Sequence, residues 1–384
     1  MIKSKKMHIM KKSIINFSIL FTCTILVFTL DSCIKDEPLN SEADIISCKL
    51  PPEILRREPT ISNNDVMIMI INGKANKSKL APEFTITEGA TISPLSGTER
   101  DFTKPQTYTV TSQDGKWEKT YTVYVVESDL PVIYSFENWA SQNNGKFFIP
   151  YEPVYSGDPP IEIERQMIWS SGNAGFAIVG QGLPPEEFPT APTDDAYTGK
   201  YAAKLTTRST GPLGSTFGMK LAAGNLFLGE FDAGSALSNP LGATKFGTPF
   251  NKAPMQFTGY YKYKAGDSYQ DKEGNILPNV TDSCSIYSVF YEAGPNGEML
   301  DGSNIQTSER IVAKAIVTNL KQTATYLKFD IEYVYIKEVD PQKLKDFKYN
   351  LAVVFTSSHK GAEFSGAIGS VLYVDDVEVV YLDE

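Results

Sequence analysis

Only two histidines occur among the 384 residues, His8 and His359. His8 lies in a segment expected to be removed, which leaves His359 alone, so sites that need two or three imidazoles, such as His-rich zinc centres, HExxH metalloproteases and two-His iron centres, cannot be built. Acid–base chemistry must rest on carboxylates, tyrosines or lysines. Hydrolysis of a glycosidic bond needs two carboxylates flanking it, ~5–5.5 Å apart for retention or ~6.5–9.5 Å for inversion. Glu137, Asp194, Asp195, Glu363, Asp375 and Asp376 are candidates, yet none stands in a hydrolase motif. A phosphate-cradling glycine loop and a GxSxG elbow are absent. Sugar binding asks for less: aromatic faces against CH-rich sugar faces, with amides and acids for the hydroxyls. Trp169, Tyr260 and Tyr269 are the stacking candidates. Core or rim packing is the alternative role for each, because aromatic rings bury large areas.

The elements that must position these residues read as strands. Val66–Ile71 is an apolar run closed by Asn72-Gly73, and Tyr108–Thr111 and Thr120–Val125 alternate with period two around Asp114-Gly115, a hairpin turn pair. Residues 46–129 thus predict a small immunoglobulin-like sandwich. A break at Glu127–Pro131 is short, so the next domain should sit close. Further on, Met255, Phe257, Gly259, Tyr261 and Tyr263 share one face, with Tyr260 on the polar side. Leu327, Phe329, Ile331, Tyr333 and Tyr335 alternate likewise, as do Tyr349, Leu351, Val353 and Phe355. The chain is therefore all-β, and residues 130–384 predict a larger β-jelly roll. Val371, Tyr373, Asp375, Val377 and Val379 would form one face of the last strand, leaving Asp375 among apolar neighbours. A buried carboxylate there must be paired, metal-bound or protonated. A bulge that turns Asp375 outward is the alternative. Cys284, Ile286 and Phe290 also share a face, so Cys284 reads as a small buried hydrophobe rather than a disulfide partner or nucleophile. His359 falls in Ser357–Gly361, an expected exposed loop.

The N-terminus reads as an address. Lys3, Lys5, Lys6, Lys11 and Lys12 precede an uncharged, mostly apolar run from Ile14 to Leu30, the layout of a secretory signal. Leu30-Asp31-Ser32-Cys33 resembles a bacterial lipobox. Residues 1–32 would be the signal peptide, Cys33 the lipidated residue and 33–45 a tether. Ile34-Lys35-Asp36-Glu37 resembles the export tag of surface lipoproteins of Bacteroidetes-type bacteria. The resemblance implies an outer-membrane lipoprotein, surface-exposed and held by acyl chains on Cys33. Cleavage removes five lysines against Asp31 alone, so the mature chain is more acidic than the −10 of the whole. Such a charge repels phosphate backbones, and no nucleic-acid partner is expected.

Two further resemblances follow from longer stretches. Pro82–Pro94, Ser96-Gly97-Thr98, Asp101-Phe102 and Tyr108–Gly115 look like the Ig-like spacer modules of Bacteroidetes surface lipoproteins. Phe231–Gly234, Asn239-Pro240, Gly247–Phe250, Gly259–Gly266, Phe355–Phe364, Gly366–Ser370 and Leu372–Val379 resemble, in order, the carbohydrate metabolism domain (PCMD) of Bacteroidetes lipoproteins. No agreed catalytic residues come with that family. Tyr134–Trp139, Tyr197–Leu205 and Asp375-Asp376 are also similar to edges of jelly-roll carbohydrate-binding modules. That similarity implies a structural Ca²⁺ held by Glu137, Asp375 and the Lys200 carbonyl, with carboxylates and carbonyls of the right hardness. The primary expectation is a surface protein that captures an oligo- or polysaccharide beside neighbouring glycan-uptake proteins. A glycoside hydrolase using a carboxylate pair is the alternative, and a non-catalytic adhesive or structural protein the third.

Overall fold

The computed structural model describes residues 39–381, apart from 57, 63, 72, 129, 157–160, 180 and 181. The signal segment, Cys33 and the tether up to residue 38 lie outside the described residues. Among the described residues no helix is long and apolar enough to cross a membrane.

The N-terminal unit is a sandwich. Its larger sheet runs in the order Thr60–Ser62, Asp65–Ile71, Glu118–Ser128, Gln106–Thr111, Thr91–Ser93, and Ile45–Lys49 pairs with Glu83–Ile86 opposite. The period-two pattern works here as expected: Tyr108, Val110, Tyr121, Val123 and Val125 point into the core. Asp114 Oδ1 accepts from Ser112 Oγ at 2.7 Å and Lys116 N at 3.0 Å, and Gly115 takes the positive φ of 67° that the turn requires. The unbroken apolar run at Asp65–Ile71 has a separate cause. Val66, Ile68 and Ile70 fill this sandwich, whereas Met69 joins the core of the next domain. The two domains are therefore docked. Buried Arg56 donates from Nη1 to Pro249 O at 2.6 Å, and its own carbonyl accepts from Thr248 Oγ1 at 3.2 Å.

The larger domain packs two sheets face to face, and every pairing among its described strands is antiparallel. The six-stranded sheet has Thr190–Thr193, Ala202–Thr206, Val371–Tyr381, Pro254–Lys264 and Leu327–Glu332 in that order, with Ile133–Tyr134 pairing on Val371–Tyr381. The nine-stranded sheet is centred on Asn225–Phe231, Tyr349–Thr356, Ser285–Glu292 and Ile311–Ile316. Phe257, Tyr261, Tyr263, Phe290, Leu351, Val353 and Phe355 fill the space between them.

Three strand readings change. Met255 is exposed because the register shifts between Pro254 and Gln256. The 327–335 alternation serves two sheets rather than one. Leu327–Glu332 pairs with Pro254–Lys264, then the chain crosses over and Val334–Tyr335 pairs with Ile311–Ile316. On the last strand, Asp376 and Val377 together oppose Gly259, and Asp376 has φ 44°. This bulge swaps the phase, so Leu372 and Val374 face the core before it and Val377 and Val379 after it.

Trp169 lies in that core at 2% exposure, its ring 5.0 Å from Tyr134, 5.4 Å from Phe136 and 6.1 Å from Phe355. It is a packing residue and not a surface platform, which corrects its reading as a sugar-stacking ring. Its Nε1 donates to Glu152 Oε1 at 3.3 Å. Burial pushes the Glu152 carboxyl up to about 7. Between its unfolded value near 4.5 and about 7, the unfolded chain has lost a proton that the folded chain keeps, so stability falls as pH rises. Glu152→Gln keeps an acceptor for the indole and removes the titration. Relative to that variant, the wild type should lose about 2 kcal/mol between pH 5 and pH 8 in urea unfolding. Parallel pH profiles of the two proteins would contradict this.

Cys48 and Cys284 are free and buried, and burial pushes both thiols up to about 12. At neutral pH they are inert thiols, as read for Cys284.

Candidate functional site

The central strands of the nine-stranded sheet are apolar on both faces. From Ser285–Glu292, Ile286 and Phe290 enter the inter-sheet core while Tyr287, Val289 and Tyr291 enter a second cluster with Phe227, Phe246, Leu300, Ile305 and Val354. A layer of loops and short helices therefore covers the outer face, including Asn173–Val179, Gly211–Thr216 and Pro240–Ala243. Beneath it lies a cavity of about 440 Å³, within the ~300–1,000 Å³ typical of ligand sites.

The floor is built from Phe227, Phe246 and Tyr287, all buried, and His359, Lys360 and Glu363 stand exposed at the mouth. Ser285 Oγ lies 2.7 Å from His359 Nδ1, and the His359 amide donates to Ser283 O at 2.6 Å. The loop carrying His359 is tied down from within. Ser357 and Ser358 are fully buried, and their hydroxyls lie 2.8 and 2.6 Å from Thr207 Oγ1. Asp282 Oδ2 accepts from Ser358 Oγ at 2.6 Å, Ser370 Oγ at 2.7 Å and Ala367 N at 2.8 Å. The loop ends at Phe364, a lining residue held left-handed at φ 56°, a conformation that costs a bulky side chain and persists only when its surroundings enforce it. Burial pushes Tyr287 up to about 12, so its phenol stays a neutral hydrogen-bonding group. Glu363 is the one carboxylate among the described lining residues. The cavity thus offers hydrogen bonds and apolar contact, and one acid where two-carboxylate hydrolysis needs a pair.

The other sequence candidates gather on the outer face of the six-stranded sheet. Tyr260 is half-buried and stacks on exposed Tyr197 at 3.6 Å and 15°, with Tyr326 edge-on to Tyr197 at 5.8 Å. Lys262 pairs with Asp195 and lies 4.4 Å from the Tyr373 ring. Tyr269 is 9% exposed and pairs with Ala367 in a two-stranded sheet, so it offers almost no face to a ligand. Of the three stacking candidates, Tyr260 alone stands beside open surface.

Glu137 and Asp375 both hold the 195–201 loop, which carries Lys200. Glu137 Oε1 accepts from the amides of Lys200 at 3.0 Å and Tyr201 at 3.2 Å. Asp375 is fully buried, and its Oδ2 accepts from the amides of Tyr197 at 2.7 Å and Thr198 at 3.2 Å, while Asp376 Oδ2 takes the Thr198 hydroxyl. Burial pushes Asp375 up to about 6, against the pull of those amides. Calcium would need oxygens around it, whereas the partners here are N–H donors. No group of three or more His, Cys, Asp or Glu suited to a metal occurs among the described residues. In this arrangement the two carboxylates clamp the 195–201 loop.

Sequence reasoning placed His359 in an exposed loop and missed what it faces. Ser285, 74 residues earlier, and Phe227, Phe231 and Tyr287 come to the cavity only through sheet pairing. The available signal was the pair of mostly apolar runs Ile286–Tyr291 and Leu351–Phe355, which require cover on both faces.

Fold and site define a two-domain all-β protein with an apolar cavity on one sheet of its larger sandwich. The chain belongs to the family described as "Putative carbohydrate metabolism domain", whose profile matches residues 135–380. Residues 45–125 match the "SGBP, N-terminal" module of surface glycan-binding proteins. A crystal structure described as a putative glycoside hydrolase from Bacteroides thetaiotaomicron is 44% identical, covers 91% of this chain and all of its own, and superposes with a TM-score of 0.81. Another so described, from Bacteroides vulgatus, is 40% identical over 66% of this chain and 99% of its own, with a TM-score of 0.59. No match was found among curated proteins.

Proposed function

We propose that this protein is a lipid-anchored surface glycan-binding protein, held through Cys33, whose N-terminal sandwich spaces the larger domain from the membrane. The larger domain captures its saccharide at the cavity beside His359. The observation that carries this reading is the cavity itself, with hydrogen-bonding side chains at its mouth and one carboxylate. The match to a surface glycan-binding module and membership of a carbohydrate-related family support it. A hydrolytic reading is favoured by the description of the two similar crystal structures and lacks a second acid in this cavity.

Ala362 is exposed at the mouth, so Ala362→Trp can block entry without touching the core. On a glycan array the variant should lose at least tenfold in binding while its melting temperature stays within about 1 °C of wild type. Retention of binding by Ala362→Trp, with loss on Tyr260→Ala, would move the site to the tyrosine face instead.

A further inference from the structure

We infer that the cavity receives a saccharide carrying an apolar substituent, an acyl, alkyl or aryl group, with the substituent on the floor and the sugar at the mouth. This rests on the glycan-binding reading and narrows it to a ligand class. The floor and walls include Phe227, Phe246, Leu221, Met219 and Ile305, every one buried. A sugar hydroxyl set against them would lose its water partners without replacement, a cost of roughly 1–3 kcal/mol per group in protein interiors.

Three polar groups of the lining are already engaged. Asn225 Oδ1 accepts from Gly172 N at 2.7 Å, the Thr210 hydroxyl donates to Met219 O, and Ser285 Oγ lies against His359 Nδ1. The exposed polar groups stand at the opening instead: Gln306, His359, Lys360 and Glu363. Apolar surface continues outward as well. Leu241 in the lining is 38% exposed, and the helices of the covering layer expose Ile178 and Leu213 by 46% and 49%. Such a gradient, greasy below and polar above, matches an amphipathic ligand and mismatches a bare oligosaccharide.

The test uses the mature chain with Cys33→Ser, so that no acyl anchor competes, and titrates methyl, butyl, hexyl and octyl β-D-glucosides below their micellar concentrations by calorimetry. Each methylene that reaches the floor should tighten binding about fourfold. Octyl glucoside is therefore expected to bind at least 100-fold tighter than methyl glucoside, and Ala362→Trp should cut octyl binding at least tenfold. A series flat in chain length overturns the inference, as does 1-octanol binding as well as octyl glucoside. If the series is flat while unsubstituted oligosaccharides are still retained, the glycan-binding reading stands and the inference alone falls. If no saccharide of either kind is retained, both fall.

Discussion

Asp282→Ala should lower the melting temperature of the larger domain by roughly 6–12 °C. The carboxylate is 4% exposed and accepts four hydrogen bonds: three at Oδ2, and the Ser283 amide at Oδ1 at 2.9 Å. Truncation leaves the Ser358 and Ser370 hydroxyls, both fully buried, and the Ala367 amide without their acceptor. Each buried polar group left unpaired costs about 1–3 kcal/mol, so a total near 3 kcal/mol is a cautious expectation. For a domain of this size each kcal/mol moves the midpoint by about 2–4 °C. The loop beside the cavity is the part that loosens, because Ser358 precedes His359. Hydrogen exchange should therefore quicken at 357–370 more than elsewhere. Asp282→Asn can keep its oxygen toward the three donors at Oδ2 and should recover most of the loss. A shift below about 2 °C for Asp282→Ala would show that the network contributes little.

Trp169→Ala should be costlier still, about 3–5 kcal/mol in urea unfolding, the usual loss for removing a large buried aromatic. Its ring touches Tyr134, Phe136 and Phe355 at once, and its loss also strips Glu152 of the indole N–H. Trp169→Phe keeps a ring in the core and should cost less than half as much. A stacking platform would give the opposite pattern, with stability intact and glycan binding gone. Unchanged unfolding of Trp169→Ala would therefore return Trp169 to the surface.

These two residues also show what the sequence could and could not reveal. Asp282 and Trp169 sit outside any long alternating run. Trp169–Ser170 is a two-residue strand, too short for a period that would tell inside from outside. Where strands are long and one face is wet, the reading worked: Tyr261 and Tyr263 face the core and Tyr260 faces out. It failed where geometry departs from period two, at the Asp375–Val377 bulge and at the crossover near Tyr333. A bulge that turned Asp375 to solvent had been the alternative; the bulge is present, yet Asp375 stays fully buried under the 195–201 loop. The cavity was hidden for a different reason. Its lining comes from segments between residues 172 and 364, and only the finished sheet brings them together. His359, one of the two histidines, stands at the cavity mouth.

The most direct measurement is the fate of a bound glycan. An oligosaccharide retained on the array is incubated with the protein, recovered and assayed for new reducing ends. Tight retention and recovery of the intact glycan are expected, with no new reducing ends from either the wild type or Glu363→Gln. Release of reducing ends by the wild type, abolished by Glu363→Gln with folding intact, would contradict it and make this protein a hydrolase.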